Sequence, residues 1–385
     1  MRSRLVPAAL VAFGLLSPAP VRGVAGVTVT VRNPLGIARP AETIELSLAA
    51  LKPSLTFTDA HTLHVTDGAS GADLVTQVLD ADGNGDADTL IFQANLAPNE
   101  SRTFSVSTGA RRQLSKDDFK AYGRLVHERY DDYAWENDRV AFRIYGAALE
   151  SAPGEMLTSS GIDVWAKRTR RLVINDWYMV DDYHRDAGEG ADFYNVGDSR
   201  GCGGSGLWND GTLAVASNFR DVKTLANGPI RVLFEARYPV WDLAGVSTTT
   251  RISLDAGQSL NRVETRTYSV RSVPARPAVV GIKHAANADV ATRRDLGVAR
   301  SWEPLATGHG ALGCGVVIAP SAIRDVRRVG SNELLFVNES NGPLTYWVGA
   351  GWDQSGDFAT VAAWDAYLEA CAIRTRTPIV VTIRP

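Results

Sequence analysis

Short segments of alternating apolar and polar residues recur along most of the chain, and they predict an antiparallel β-protein. Between residues 26 and 106, six such segments are separated by Pro, Gly, Asn or Asp, among them VTVTVRN, ETIELSL and TLIFQANL. From residue 211 onward the pattern resumes, for example in GPIRVLFEARYP, STTTRISLDAG and GCGVVIAP. Such regular spacing over more than 150 residues favours a large antiparallel β-sandwich with few helices.

Helical periodicity is confined to a segment near the C-terminus. In DFATVAAWDAYLEACAIR, residues 357–374, apolar residues recur at helical intervals, so we predict one helix there and a last strand in PIVVTI. The polar segment SKDDFKAYGRL is typical of either a short capped helix or an exposed connector.

The first residues have the layout of a secretory signal peptide. Arg2 and Arg4 precede an apolar run from Leu5 to Leu16, and small residues follow near Ala25. We predict a signal peptide over residues 1–25, a single catalytic domain over residues 26–385, and a periplasmic or secreted location. No later segment reaches the roughly 18 to 20 apolar residues that a membrane helix needs, so we expect no membrane span in the mature chain.

The net charge narrows the class of partner, and the cysteine content narrows the kinds of cross-link and metal site that the chain can form. The net charge of −3, from 40 basic and 43 acidic residues, gives no electrostatic footprint for nucleic acid or an anionic membrane, so we expect a small-molecule partner. Three cysteines are too few for a disulfide scaffold or a zinc cluster. One pair can close in an oxidising compartment, and Cys202 with Cys314 is favoured because both lie in Gly-Cys-Gly turns; Cys371 is then a buried thiol.

An acidic segment between two predicted strands resembles the start of a calcium loop. Carboxylates or amides alternate from Asp80 to Asp88, with Gly85 at the turn. Ile91 occupies the position of the bidentate carboxylate, however, and the flanks are strand-like. We therefore predict a polar hairpin turn and keep a divalent cation such as calcium as an option; no other cofactor is indicated.

Residues 160–204 are the densest stretch of titratable and aromatic side chains, and we interpret them as a long irregular insertion that carries the site. His184 is the candidate for proton transfer, and Tyr183 is a second proton carrier or a sugar-stacking ring. Glu189 lies between two glycines and can present its carboxylate to a ligand, while Arg200 lies among glycines that permit close approach to an anion. The alternatives are a structural histidine bonded to Asp186, a packed tyrosine and a plain Gly-Glu-Gly turn.

Further residues are candidates for substrate binding. Residues 139–145 are predicted to form a strand whose polar face carries Arg143, with Trp135 and Glu136 at its entrance. This face either binds a carboxylate, is simply solvated or forms an ion pair. Other candidates are Trp165, Lys167 and Asp192. The absence of a Gly-x-Ser-x-Gly elbow, a phosphate-binding Gly-Lys-Ser/Thr loop and a His-Glu-x-x-His helix argues against a serine hydrolase, a nucleotide enzyme and a zincin.

Three motifs carry a resemblance to a known family. WENDRVAFRIYG, SGIDVWAKRTR and the long motif from WY at residue 177 through YHRDAGEGADFYNVGDSRGCGG resemble the bacterial exported family known as domain-of-unknown-function family 4861. The resemblance covers nearly the whole mature chain. It implies a galactose-mutarotase-like β-supersandwich that works beside polysaccharide lyases and unsaturated uronyl hydrolases, and some members are similar to oligosaccharide dehydratases that remove water from a terminal uronic acid. It implies no catalytic residue assignments.

These observations lead to one hypothesis and two rivals. The leading hypothesis is an exported lyase or dehydratase acting on uronic-acid oligosaccharides, with Arg200 or Arg143 on the carboxylate, His184 as base or acid and Tyr183 as its complement. The first rival is a glycoside hydrolase in which Glu136 and Glu189 flank the glycosidic oxygen. The second is a non-catalytic glycan-binding module whose stacking platforms are three tryptophans, Trp135, Trp165 and Trp177.

Overall fold

The structure is a computed structural model that describes residues 26–180, 182–241, 245–269, 276–306, 308–338 and 342–384. Its α-helices are α1 (Leu48–Leu51), α2 (Ile174–Met179) and α3 (Val361–Arg376). Its strands are β1 (Gly26–Arg32), β2 (Arg39–Ser47), β3 (Leu63–Asp67), β4 (Asp73–Leu74), β5 (Thr76–Leu79), β6 (Thr89–Leu96), β7 (Ser101–Thr108), β8 (Ala121–Val126), β9 (Asp132–Asn137), β10 (Ala141–Ile144), β11 (Asp163–Lys167), β12 (Gly190–Ala191), β13 (Cys202–Asn209), β14 (Thr212–Ala214), β15 (Asp221–Asn227), β16 (Arg231–Tyr238), β17 (Val246–Asp255), β18 (Leu260–Ser269), β19 (Ala278–Lys283), β20 (Asp289–Arg293), β21 (Val298–Pro304), β22 (Ala311–Val317), β23 (Ile323–Val329), β24 (Asn332–Val337), β25 (Leu344–Trp352) and β26 (Val380–Arg384). Single 3₁₀ turns lie at Ala60–Thr62, Lys116–Asp118, His127–Arg129, Ala147–Ser151 and Pro320–Ala322. The predicted mostly-β antiparallel architecture with a few short helices is confirmed.

The N-terminal strands form a small sandwich with a core of its own. One sheet has the order β26-β1-β7-β3-β4 and the other the order β2-β6-β5. Alternate residues of these strands point inward, so Val29, Phe92 and Phe104 are fully buried between the sheets. The C-terminal strand β26 pairs with β1 and brings both ends of the described chain to this sandwich.

Three further sheets enclose the main core. An eight-stranded sheet, β15-β16-β17-β18-β25-β22-β21-β20, faces the sheets β12-β11-β10-β9-β8 and β14-β13-β19-β24-β23. Phe142 and Val280 from the two smaller sheets meet Phe234 and Val348 of the eight-stranded sheet in this one cluster. The prediction that residues 26–385 form a single domain stays a prediction.

The C-terminal helix packs on the eight-stranded sheet at positions that are occupied by glycines. A Cβ added at Gly313 or Gly351 would lie 3.0 or 2.7 Å from the Trp364 ring, and one added at Gly315 would lie 2.6 Å from Leu368. These glycines let α3 approach the strands directly. The predicted C-terminal helix and last strand are therefore confirmed, and residues 116–118 form a single 3₁₀ turn with a capping box.

Cys202 of β13 and Cys314 of β22 are joined by a disulfide, with 5.3 Å between their Cα atoms. Cys371 is a free, buried thiol. The favoured pairing is thus confirmed.

Of the helices in the described ranges, none has the length and apolar character that crossing a membrane requires. The predicted signal peptide lies outside the described residues.

The sheet β8 to β12 positions the polar residues discussed below, and its two faces differ. Its inner face, which carries Trp135, Phe142 and Val164, packs into the main core. Its outer face carries Arg143 and Asp163, which are register partners on β10 and β11. Helix α2 and the following loop cover part of the outer face.

Two expectations for this region are wrong. Trp135 and Glu136 do not lie at the entrance of the arginine-bearing strand but belong to β9, which pairs with β10 as a hairpin. Residues 160–204 are not wholly irregular, because they contain β11, α2, β12 and the start of β13.

Candidate functional site

A buried charge cluster lies on the outer face of this sheet and is centred on Arg143. The guanidinium donates from Nε to Asp163 Oδ2 at 2.7 Å and from Nη2 to Asp192 Oδ2 at 2.8 Å. Its Nη1 is 3.9 Å from Asp132 Oδ2. The Tyr145 hydroxyl also donates to Asp163 Oδ2, at 2.8 Å. One buried cation therefore holds three buried carboxylates in fixed positions.

Burial raises the pKa of two of these carboxyl groups. It raises the pKa of Asp132 to about 7, against an attraction to Arg143 and Arg129 that acts in the opposite direction. Burial, followed by the neighbouring charge of Asp163, raises the pKa of Asp192 well above its ordinary value. Asp132 Oδ2 and Asp192 Oδ1 are both buried, and neither has a hydrogen-bond partner among the residues that the structure describes. The cluster can therefore hold a proton at neutral pH.

Tyr183 and His184 sit at the edge of the cluster. The Tyr183 hydroxyl accepts N–H from Arg129 Nε at 2.5 Å and from Arg143 Nη1 at 3.3 Å. The His184 ring packs on the Tyr183 ring with 4.5 Å between centroids, and its Nδ1 lies 3.2 Å from Asp192 O. The His184 side chain is 64% exposed, whereas Asp192 is fully buried. His184 thus presents its ring to solvent directly above the buried charges.

An aromatic layer fixes the orientation of Tyr183. Its ring stacks on Trp165 at 5.1 Å between centroids, and Trp165 stacks in turn on Trp177 at 5.6 Å. Tyr178 completes the layer at 4.9 Å from Trp165. Because these rings are buried together, the Tyr183 hydroxyl has one preferred position.

The cluster borders an open pocket of about 310 Å³. The pocket is lined by the charged groups above and by loop residues, including Arg129, Glu155, Phe193, Tyr194 and Asn195. Arg129 forms an ion pair with Glu155 at the mouth, where their side chains are 15% and 53% exposed. The pocket therefore combines a reachable cation, a reachable imidazole and buried proton donors, which is a setting for general acid–base chemistry.

Comparison with known proteins gives a family but no activity. A family model described as a domain of unknown function, DUF4861, matches residues 31–381. The chain belongs to the DUF4861 family. It is also 34% identical over 378 residues to the uncharacterized protein P7 of Formosa agariphila, covering 92% of this chain and 93% of that protein. The family predicted from the three motifs is thus confirmed.

A solved structure shares the fold of the DUF4861 chain. A protein in the glycosyl hydrolase family 38 from Enterococcus faecalis aligns with a TM-score of 0.53 at 10% sequence identity. The match covers 94% of the DUF4861 chain and 48% of the other, so the DUF4861 chain spans about half the length of this structure. At such low identity the likeness shows the fold alone.

Five of the predicted site residues of the DUF4861 protein meet in the outer-face pocket or directly behind it: Arg143, Trp165, Tyr183, His184 and Asp192. Trp165 is 1% exposed, so it acts through Tyr183 and does not offer a stacking surface to solvent. Trp135 and Trp177 are also buried. The prediction that these three tryptophans form the stacking platforms of a glycan-binding module is therefore wrong.

Glu136 and Lys167 are structural. Lys167 Nζ donates to Glu136 Oε2 at 2.5 Å, and both side chains are fully buried. Glu136 Oε1 accepts the backbone N–H groups of Val173 and Ile174, at 2.6 and 2.7 Å, at the start of α2. These contacts leave neither side chain free to bind substrate. The Trp135 indole is likewise committed, because it donates to Asn261 Oδ1 at 2.7 Å in the core.

Glu189 and Arg200 lie away from the cluster. Both oxygens of Glu189 are bound by the Arg171 guanidinium, at 2.5 Å each, on the surface. With Glu136 buried and Glu189 occupied, the predicted pair of hydrolase carboxylates is not assembled. Arg200 is buried beneath β13, where its Nη2 donates to Ser160 Oγ at 2.8 Å. It belongs to the interior of the sandwich and not to the outer face.

Four residues of the site were missed from sequence: Arg129, Asp132, Tyr145 and Asp163. Asp163, Trp165 and Lys167 share one face of β11 by their spacing of two, so Asp163 had a usable signal. No sequence signal pointed to Arg129 or Asp132. The directions of their side chains are set by a 3₁₀ turn and by the left-handed conformation of Tyr130.

The acidic loop joins β5 and β6, which pair as an antiparallel hairpin, so the predicted hairpin turn is confirmed. Asp80, Asp82 and Asp88 can each place one oxygen within 4.8 Å of the others. The Asp80 carboxylate already accepts N–H groups from Gly83 and Gly85, both at 2.8 Å. Oxygen ligands of this kind suit calcium, and the calcium option stays a prediction.

The raised pKa of Asp132 predicts a pH dependence of stability. Because the folded state holds this proton up to about pH 7 and the unfolded state releases it near pH 4, stability falls as pH rises between these values and levels off above. Asp132→Asn keeps the group neutral. Urea unfolding at both ends of this range should show a decrease larger in the wild type than in the variant by on the order of 2–4 kcal/mol. Equal decreases would contradict the assignment.

Proposed function

We propose that the protein is an exported carbohydrate-active lyase or dehydratase that eliminates water from a terminal uronic acid of polysaccharide-derived oligosaccharides. The observation that carries this proposal is the Tyr183 hydroxyl, which accepts N–H from two guanidinium groups beside the exposed His184 ring. The glycosyl hydrolase family 38 protein with the same fold supports a carbohydrate substrate. Export rests on the predicted signal peptide.

Elimination across C4 and C5 of a uronate needs three groups. A cation must neutralise the carboxylate so that the C5 proton becomes acidic, and a base must remove that proton. The electron pair of the C5–H bond forms the C4=C5 double bond, and the C4–O bond breaks. An acid protonates the departing oxygen, which leaves as water.

The pocket lining supplies two of these groups, and the Tyr183 hydroxyl, which contacts Arg143 behind the lining, supplies the third. Arg129 is the cation, because Arg143 is already occupied by Asp163 and Asp192 while the Glu155 partner of Arg129 is half-exposed and exchangeable. His184 is the base, since its exposed ring can reach a bound sugar. Tyr183 is the acid.

The setting of Tyr183 suits that role. Its oxygen accepts two charge-assisted hydrogen bonds, so the phenolate formed after proton transfer is stabilised in place. The buried aromatic layer holds the ring without reorganisation during the reaction.

One observation favours a second function, hydrolysis of a glycosidic bond. Asp132 lines the pocket and has a pKa of about 7, which suits a general acid that protonates a leaving glycosidic oxygen. The other carboxyl groups of the cluster would then act as its partners.

One incubation separates the two reactions. Purified protein is mixed with saturated uronate oligosaccharides, and the products are followed by mass and by the ultraviolet absorbance of a conjugated uronate. Loss of one water with a new chromophore supports elimination, and sugar release without a chromophore supports hydrolysis. His184→Ala should abolish elimination, whereas Arg237→Met, which removes an exposed cation, serves as the matched control. Unchanged substrate, or full turnover by His184→Ala, would overturn the proposal.

A further inference from the structure

The ring of His184 makes its polar contacts through one of its two nitrogens. Nδ1 lies 3.2 Å from the backbone carbonyl oxygen of Asp192 and 3.5 Å from the Oδ2 atom of the same residue. Within the described ranges, no side chain or backbone group is hydrogen-bonded to Nε2. The two nitrogens of this candidate base therefore have different surroundings, and the polar contacts that orient the ring fall on Nδ1.

The Asp192 carbonyl decides which nitrogen of His184 carries the proton in the neutral ring. A carbonyl oxygen accepts hydrogen bonds and does not donate them, so Nδ1 is the protonated nitrogen when this contact is made. The lone pair is then on Nε2, on the side of the imidazole away from Asp192. Because His184 lines the outer-face pocket and its side chain is 64% exposed, Nε2 is the nitrogen that a ligand in the pocket can reach.

The position of the Asp192 carbonyl is fixed by three sets of contacts. The strand just before Asp192, β12, pairs with β11, and the two strands are so close that a Cβ added at Gly190 would lie 2.0 Å from Ala166 O. The Asp192 N–H donates to the Tyr183 carbonyl oxygen at 2.8 Å. The Asp192 side chain, which is fully buried, accepts from Arg143 Nη2 at 2.8 Å. The acceptor for His184 is therefore in place before a substrate arrives.

The charged groups around Asp192 leave this tautomer unchanged. They come from four elements: Arg143 from β10, Asp163 from β11, Asp132 from β9 and Arg129 from the 3₁₀ turn before β9. Burial, followed by the charge of Asp163, raises the pKa of the Asp192 carboxyl group. The carboxyl group can thus hold a proton, but the backbone carbonyl accepts a hydrogen bond whether the side chain is neutral or ionised.

We propose that Asp192 is a positioning residue, which holds His184 as the Nδ1–H tautomer so that Nε2 is the atom that takes the C5 proton of the uronate. The identity of that proton rests on the proposed function, whereas the tautomer does not. The Nε2 lone pair forms the new N–H bond, and the electron pair of the broken C5–H bond becomes the C4=C5 double bond. The C4–O bond breaks, and the oxygen, protonated by Tyr183, leaves as water. The imidazolium keeps its Nδ1–H on the Asp192 carbonyl and releases the Nε2 proton to solvent.

Nitrogen NMR of the wild-type protein tests the tautomer without any substrate. The chain has 6 histidines, so the protein is labelled with ¹⁵N-histidine and the His184 signals are identified by their absence in His184→Ala. Protonated and unprotonated ring nitrogens differ in chemical shift. In the neutral ring we expect a protonated Nδ1 and an unprotonated Nε2. A protonated Nε2, or exchange between the two tautomers, would overturn the proposal.

Two substitutions of Asp192 test whether its side chain holds the carbonyl in place. Asp192→Ala removes the group that Arg143 binds, so we expect exchange between the two His184 tautomers. The kcat/KM for elimination should fall by about 10²-fold, the loss expected when a catalytic group is misplaced by about 1 Å. Asp192→Asn keeps an oxygen for Arg143, so it should retain the Nδ1–H tautomer and restore most of the activity. A retained Nδ1–H tautomer in Asp192→Ala, whatever its turnover, would contradict the positioning role.

Asp163→Ala is the matched control. It removes the other carboxylate that Arg143 binds, at 2.7 Å, but Asp163 makes no hydrogen bond or ion pair with His184 in the part of the chain that the structure describes. The His184 tautomer should therefore stay as in the wild type, and an equal change in both alanine variants would overturn the proposal. If Asp192→Ala does not fold, the spectra of the wild type and Asp192→Asn still decide. An Nδ1–H tautomer in a protein without elimination activity would count against the proposed function alone, so the two failures are distinguishable.

Discussion

Replacing Tyr183 by Phe is expected to lower kcat/KM for uronate elimination by about 10²- to 10⁴-fold, the usual contribution of a positioned acid. The substitution removes one oxygen and keeps the ring that packs against Trp165 and His184. It also leaves Arg129 and Arg143 without their shared acceptor. In the proposed mechanism the acid acts in the transition state and Arg129 binds the substrate, so the loss should fall mainly on kcat.

The pH profile distinguishes proton donation from a structural role. If Tyr183 donates the proton, the alkaline limb of kcat/KM should be absent or displaced in Tyr183→Phe, because the group that must remain protonated is gone. A merely structural tyrosine would lower activity by the same factor at every pH. Circular dichroism and thermal melting of the variant should stay close to those of the wild type. An unchanged kcat/KM would remove Tyr183 from the mechanism.

The fold could be predicted where apolar and polar residues alternate along a strand. The prediction failed where both faces of a strand are buried. The strands of the N-terminal sandwich and α3 have one buried and one exposed side, so their patterns are visible in sequence. All six residues of β9 are buried, although Asp132, Glu136 and Asn137 are polar. Its polar residues face partners from distant parts of the chain, so the alternation that marks a strand is lost.

The site was predictable only in part because proximity in sequence does not decide which face of a sheet a residue occupies. His184 and Arg200 are 16 residues apart in the chain, yet a bridge between Ile162 and Gly201 carries Arg200 beneath the sheet. Tyr183 is a candidate from the sequence, but its two guanidinium donors come from β10 and from a separate 3₁₀ turn. Such convergence of distant elements is set by topology and not by local pattern.

The ion pair between Lys167 and Glu136 also joins distant parts of the chain, and breaking it should strongly destabilise the folded protein. Lys167→Met should lower the free energy of unfolding by about 3–5 kcal/mol, because it leaves the Glu136 carboxylate buried without its cation. Both side chains are fully buried, so water cannot replace the lost ammonium. The two N–H groups of α2 that Glu136 accepts offset only part of this loss. Urea unfolding of the variant and the wild type measures the difference.

The double variant Glu136→Gln/Lys167→Met separates a stranded charge from a lost contact. Removing both charges together should recover much of the stability, since no ion then remains unpaired in the interior. Arg262→Met, which breaks an exposed ion pair with Glu264, is the control and should change stability by less than about 1 kcal/mol. If Lys167→Met were as mild as this control, the lysine would not neutralise Glu136 in the folded protein. If the single variant kept its stability but lost substrate affinity, Lys167 would be a binding residue after all, which its contacts argue against.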